Sequence, residues 1–441
     1  MVLQRSHLLF KAILLVVVLA AAGLAQEDKL QAGDRERGRT ILSDVAGDIR
    51  GDYYDPTYHG VDLQARYKDT LARIDKATSF NQMLGLVAWF VDSLNDSHTY
   101  FIPPPRAYKF DYGWRVQMIG DQCYITQVRP GSDAEKQGVK PGEMVESIMG
   151  VQPSRENLFK LQMVLDVLRP QPVIRLVLRS PGGAERTLDL QAAVKPTRHE
   201  LTNYSDWMDE VRSSERSMAL YKRKSVEVGS DILVWKLHDF MMDEKAADIM
   251  VGKARDNKVL ILDLRHNPGG SADATVRMIG NFFVHDTKVA EPQGRKKLLN
   301  VKSIAKGRGD KAFTGKLIVL VDSQSASASE ILARVVQLEG RGTVIGDRSA
   351  GAVMLSEGHA SWKGLEHRIF YGVSVTKADM IMKDGKSLER VGVTPDELVL
   401  PTKEDLASGR DPVLARAVEL GGGKITPEEA GKLFPFEWPP L

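Results

Sequence analysis

Three serines separated by alanines, Ser325-Ala326-Ser327-Ala328-Ser329-Glu330, are the residues of this 441-residue chain best suited to chemistry. They lie between a continuous apolar run of strand length, Leu317 to Val321, and a stretch from Ile331 to Leu338 with helical apolar spacing. A hydroxyl presented at such a strand-to-helix turn meets unpaired backbone N–H groups and the positive end of a helix dipole, and both favour developing negative charge. That combination suits an activated serine with an oxyanion site. The same hexapeptide also reads as an ordinary Ser-rich helix cap, and taken alone it supports both readings equally.

The elements that must position this turn occupy most of the chain. Residues 1–25 read as a signal peptide: Arg5, His7 and Lys11 form a basic start, Ala12 to Leu24 an apolar core, and Gly23-Leu24-Ala25 a small-residue cleavage site before Gln26. The mature chain is therefore expected to be exported, periplasmic or extracellular, with an uncleaved anchor as the alternative. With 60 basic and 58 acidic residues mixed along the sequence, nothing points to nucleic acid or to stable membrane insertion after cleavage. The single cysteine, Cys123, lies in an apolar strand-like run and forms no internal disulfide. No Cys/His spacing suits a metal, and no cofactor is expected.

Residues 26–105 carry apolar spacing of helical type, as in Met83-Leu84-Val87-Phe90-Val91, and end in Asn95-Asp96-Ser97-His98-Thr99 and a Pro103-Pro104-Pro105 linker. From 112 to 195 short β-type runs alternate with Gly/Pro turns around one helical segment, about Ser154 to Leu168. Pro130-Gly131-Ser132-Asp133-Ala134-Glu135 and Gln137-Gly138-Val139-Lys140-Pro141-Gly142-Glu143 resemble the central signature of PDZ domains in bacterial proteases. Such a domain captures an extended C-terminal peptide as an added strand. Gly113-Trp114-Arg115 falls where those domains place the carboxylate loop. Residues 200–405 alternate strand and helix, which predicts an α/β core, and residues 406–441 read as a tail with helix-forming pieces but no chemistry.

Within that core the strand Val259 to Leu264 runs into Arg265-His266-Asn267-Pro268-Gly269-Gly270. With this stretch and the serine run together, the chain resembles the carboxyl-terminal processing (tail-specific) proteases and the related tricorn-core serine peptidases. The resemblance runs from the N-terminal helices to Thr394-Pro395-Asp396. It implies a crotonase-like α/β core of ββα units, an N-terminal helical segment, an inserted PDZ domain, and protein or peptide substrates with free C-termini. It implies Ser327 as nucleophile, with Ser325 and Ser329 in turn and cap roles. The oxyanion would be held by the amides of Ala328 and of the Gly269-Gly270 turn, where glycine lets the backbone approach the substrate.

A serine hydroxyl needs a base within hydrogen-bond reach. The processing proteases place a lysine in a Gly-Lys-Gly turn after the serine, but here the matching position is Ala352, in Gly346-Asp347-Arg348-Ser349-Ala350-Gly351-Ala352-Val353. A methyl group takes no proton, so the usual Ser–Lys dyad is absent. Two readings remain. One is a catalytically inactive peptide- or ligand-binding protein on the same fold, similar to the retinoid-binding relatives of the family. In the other, the resemblance to the tricorn-type enzymes implies that Ser97-His98 supplies the base and that Glu389, in Glu389-Arg390-Val391-Gly392-Val393, orients it. Histidine's usual pKa of about 6.5 suits that task near neutral pH. Glu330 competes with Glu389 as the acid, its bland role being a first-turn carboxylate favoured by the helix dipole. His266 reads as supporting or incidental. Asp263 and Arg265 read as pins for the glycine turn, and Lys363 and Lys377 sit in no matching turn.

Overall fold

The computed structural model describes residues 30–106, 108–180, 182–196, 224–298, 301–363 and 369–438. The segment read as a signal peptide lies outside them. Among the described residues no helix is long and apolar enough to cross a membrane.

At the centre is a six-stranded sheet in the order Glu397–Leu398, Gly342–Gly346, Lys316–Val321, Val259–Asp263, Ile232–Lys236, Lys224–Val228. Its pairs are parallel except the last, a hairpin. Strands buried on both faces carry unbroken apolar runs, and alternation then decides which layer each residue meets. Leu317, Val319 and Val321 face one layer with Leu260 and Leu262; that layer includes the helices Glu244–Ala254, Ala272–Gly280 and Ala328–Leu338. Ile318, Leu320 and Ile261 face the other, closed by the helices Pro412–Leu420 and Pro427–Leu433. The segment read from sequence as a tail is thus half of the sheet's cover. Asp411 also joins Arg265 to buried Asp263, with Arg265 Nη2 at 2.7 Å from Asp411 and 2.8 Å from Asp263.

A second, antiparallel sheet is built on the 14-residue strand Ile369–Met382, which pairs with Tyr100–Ile102, Ala290–Gln293 and Met354–Lys363. The helices Asp34–Asp52, Leu63–Lys76 and Phe80–Asp92 pack on it through Ile41, Val45, Phe90 and Val91 against Phe101, Tyr371 and Val373. Pairing of Tyr100 with Ser374 fixes the turn just before it, the one carrying His98.

Residues 108–196 form a separate five-stranded antiparallel sheet, in sequence order from Trp114–Ile119 to Glu185–Gln191, around its own core of Val116, Ile125, Ile148 and Leu176. Cys123 is buried in that core, where desolvation pushes its thiol up to about 12. The strands Tyr108–Asp111 and Ala193–Pro196 pair at the entrance and exit of this unit. Its helix begins at Leu158, four residues later than the sequence suggested, after a turn in which Asn157 accepts from the Ser154 N–H.

Candidate active site

Ser327 sits at the N-terminus of Ala328–Leu338 with φ 56° and ψ −116°, a conformation L-residues rarely adopt. Such a backbone costs about 1–3 kcal/mol and persists only where the surroundings over-determine it. Here the Ser327 N–H donates to the Ala352 carbonyl at 2.8 Å and to Glu330 Oε2 at 3.0 Å. The Glu330 N–H in turn donates to the Ser327 carbonyl at 3.0 Å, so residue 330 closes the start of the helix from both its backbone and its carboxylate. Gly269 lies directly against the serine: a Cβ there would stand 2.7 Å from Ser327 Cβ.

The two flanking serines are buried and committed. Ser325 Oγ donates to the Leu264 carbonyl at 2.8 Å and Ser329 Oγ to the Asn267 carbonyl at 3.0 Å, tying the serine turn to the glycine turn. Glu330 is fully buried. Besides the Ser327 N–H, its oxygens accept from Ser349 Oγ at 2.6 Å and from the N–H groups of Gly351 and Ala352 at 2.8 and 2.9 Å. Burial pushes it up to about 7 against those four donors. Its partners are all on the serine turn and the 349–352 turn, so its task is to shape the backbone.

The other acid, Glu389, meets the Ser-His pair across 292 residues of sequence. Its Oε1 accepts from the Ser97 N–H at 2.9 Å and its Oε2 from Ser97 Oγ at 2.8 Å. Ser97 Oγ lies 2.7 Å from His98 Nδ1. Proton counting fixes the tautomer. A carboxylate only accepts, so Ser97 gives its one proton to Glu389, and its oxygen can then only accept from His98 Nδ1–H. Nε2 is left as the basic nitrogen. Burial holds His98 below the usual imidazole range, against the opposing pull of Asp96, and burial also raises Glu389.

These two halves meet at one turn. The Ala352 carbonyl takes the Ser327 N–H, and the next amide, Val353 N–H, donates to Glu389 Oε2 at 3.0 Å. The Ala352–Val353 peptide unit thus bridges Ser327 and Glu389. Among the described residues no hydrogen bond joins His98 Nε2 to Ser327 Oγ.

The oxyanion assignment needs a correction. The Gly269 N–H donates to Asn267 Oδ1 at 2.9 Å, so it is not available to a substrate. Its carbonyl takes the Phe240 N–H at 2.8 Å. The amides of Gly270 and Ala328 have no such commitment among the described residues. Gly113 is also already engaged: its N–H donates to Asp111 Oδ1 at 2.7 Å. Two cations nearby meet the C-terminal segment, with Trp438 at 4.5 Å from the Arg129 guanidinium and 5.8 Å from that of Arg115.

Sequence reasoning gave no task to Asp322 and Gln117. Asp322 closes the strand before the serine run and accepts from the N–H groups of His266 and Gln324, both at 3.0 Å. Gln117, on the strand Trp114–Ile119, donates to Asp322 Oδ2 at 2.8 Å and lies 3.0 Å from His266 Nε2. Ser323 Oγ and Gln324 Nε2 donate to the Met118 and Val116 carbonyls. The edge strand of the small sheet is therefore fastened to the loop that leads into Ser327. Only the acid at the end of a parallel strand was a sequence signal for this.

The described grouping with metal-ligand chemistry, Asp52, Glu357 and His359, holds a lysine instead, with Lys377 Nζ at 2.6 Å from Glu357 and 3.4 Å from Asp52. Lys363 pairs with Asp44. Among the described residues neither lysine is hydrogen-bonded to the serine turn.

The fold and this arrangement define a serine-type peptidase. Residues 231–399 match the family model for peptidase family S41. The carboxy-terminal-processing protease of Bartonella bacilliformis is 25% identical over 333 residues, 73% of this chain and 68% of that protein. The carboxyl-terminal-processing protease of Synechocystis sp. is 31% identical over 320 residues, 69% of this chain and 66% of that protein. Among solved structures, mature CPAF complexed with lactacystin superposes with a TM-score of 0.63 at 13% identity, covering 85% of this chain and 96% of that one. The photosystem II D1 C-terminal processing protease gives 0.50 at 18% identity, covering 90% and 99%. These two share the mixed α/β fold. Residues 231–399 are a peptidase family S41 domain, and the chain around it is similar to carboxyl-terminal processing proteases.

Proposed function

We propose that this chain is an exported endopeptidase acting through an acyl-enzyme on Ser327, with His98 as general base. One observation carries the reading: Glu389, Ser97 and His98 form a continuous hydrogen-bonded chain whose acid shares a turn with the Ser327 amide. A protein that only binds peptides has no need of a tautomer-fixed histidine whose acid is tied to the same turn as a backbone-strained serine.

Ser327 Oγ attacks the scissile carbonyl carbon while His98 Nε2 takes its proton. The imidazolium keeps Nδ1–H on Ser97, whose own proton points to Glu389, so the positive charge is felt by the carboxylate without a proton crossing to it. The Gly270 and Ala328 amides hold the oxyanion. The imidazolium then protonates the leaving amine, the C–N bond breaks, and water, deprotonated by the same nitrogen, releases the acyl group. The Ser327–His98 bond forms as substrate fills the site, as catalytic hydrogen bonds in unliganded enzymes commonly do.

The small unit at 108–196 is proposed to be a PDZ domain that recruits substrate C-termini, in keeping with the names of the relatives. With Gly113 N–H already on Asp111, recruitment would rest on strand addition at Trp114–Ile119. Export rests on residues 1–25. His98→Ala tests the mechanism: turnover of a casein-type substrate should vanish while the protein stays folded, and persistent turnover would point to another base.

A further inference from the structure

We propose that Asp96 is the positioning residue for His98: it fixes the backbone that aims the imidazole and supplies a charge that stabilises the imidazolium. This rests on His98 being the base. Asp96 Oδ1 accepts three hydrogen bonds, from the N–H groups of His98 at 2.9 Å and Thr99 at 2.7 Å and from Thr376 Oγ1 at 2.7 Å. Oδ2 accepts from the Tyr53 hydroxyl at 2.8 Å. All four partners donate, so both carboxyl oxygens serve as acceptors.

The two amides closing on one oxygen make the sharp turn that carries His98, entered through Asn95 at φ 58°. Thr376 lies 280 residues away on the strand Ile369–Met382, and its N–H donates to Thr99 Oγ1. Asp96 therefore bolts the base loop to the sheet from below, while Glu389 holds Ser97 from the other side. The arrangement separates two tasks: Glu389 sets the tautomer through Ser97, and Asp96 sets the direction and local field.

The other titratable groups facing Asp96 include one fixed positive charge. Tyr53 and Tyr54, at the end of the first described helix, are raised above the usual phenol range by burial first and then by Asp96, so both stay neutral. His59 bonds the Leu94 carbonyl through Nδ1 and Tyr54 through Nε2. Arg390, from the turn carrying Glu389, donates to the Asn95 carbonyl and keeps its positive charge there, one residue from Asp96. Glu389 faces Ser97, and Asp379 lies toward Tyr54. Asp96 is the neighbour whose charge opposes the effect of burial on His98.

The test is the second-order rate at which a fluorophosphonate phosphonylates Ser327 with loss of fluoride, followed from pH 5 to 9 in the full chain. Asp96→Asn keeps the shape and removes the charge. It should move the acid limb down by about one pH unit and lower the plateau about tenfold. Asp96→Glu keeps the charge and displaces the anchor; its limb should stay in place while its plateau falls. If Asp96→Asn does not fold, Asp96→Glu decides alone, and a wild-type plateau in that variant overturns the proposal. So does an Asp96→Asn profile that superposes on wild type. Failure of the underlying reading looks different: His98→Ala would be phosphonylated at the wild-type rate, and no variant would have an acid limb.

Discussion

Replacing Glu389 by glutamine tests the proton count at the site, because the amide turns one of two acceptors into a donor. In one orientation the amide oxygen keeps Ser97 Oγ and Val353 N–H, and the NH2 faces the Ser97 N–H. In the other the oxygen keeps the Ser97 N–H, and the NH2 faces Val353 N–H and Ser97 Oγ. Each leaves a buried donor opposed by a donor, costing about 1–3 kcal/mol. In the second orientation Ser97 accepts from the amide and gives its own proton to His98 Nδ1. The imidazole proton is then forced onto Nε2 and the base is lost. Where a triad acid touches histidine directly, its amide costs about 10⁴-fold in kcat. Here one of two comparable orientations preserves the tautomer but not the charge, so a loss of about 10²–10³-fold in kcat is expected, roughly 3–4 kcal/mol of transition-state stabilisation. KM should change little. The assay is kcat and KM on a fluorogenic casein, with imidazole ¹⁵N shifts of His98 reporting the tautomer. A folded Glu389→Gln enzyme within threefold of wild type, or one with unaltered His98 shifts, would refute the relay.

Gly269→Ala places a Cβ 2.7 Å from Ser327 Cβ at a residue with φ +102°; acylation should be lost and urea unfolding should show a cost of about 1–3 kcal/mol. Glu330→Ala strands four donors, and the same measurement should show a loss of about 3 kcal/mol or more. Burial disfavours the imidazolium and lowers His98, so the neutral base persists as pH falls. The acid limb of kcat/KM should lie below about pH 6.5, and a limb above 7 in a pH–rate profile would contradict this. Ser323→Ala with Gln324→Ala frees the Val116 and Met118 carbonyls. If peptides add to that strand, fluorescence anisotropy should show a C-terminal peptide binding a few-fold more tightly.

The sequence carried the parts of the site that depend on residue type in a local pattern. The serine run between strand and helix, Ala352 in place of a lysine, and Ser97-His98 with a downstream Glu-x-x-Gly-Val are all short-range signals. Together with the family resemblance they put Glu389 forward, with Glu330 left as a rival, and the fold hydrogen-bonds Glu389 to Ser97. What stayed hidden depends on hydrogen bonds made after the chain is folded. Nothing local says that Asn267 consumes the Gly269 amide or that Asp111 consumes the Gly113 amide. Glu330 was a rival acid because it lies one turn after Ser327; its four partners on two turns are visible only in three dimensions. The stretch after 406 has modest apolar content, and only the empty face of the parallel sheet explains why its helices are needed.

Intact mass spectrometry after fluorophosphonate treatment at neutral pH tests the central claim most directly, with the adduct mapped by peptide sequencing. One adduct per chain, on the peptide containing Ser327 and absent in Ser327→Ala, is the expected result. A folded wild-type protein that takes no label, or a Ser327→Ala variant that labels equally well, would contradict Ser327 as the nucleophile.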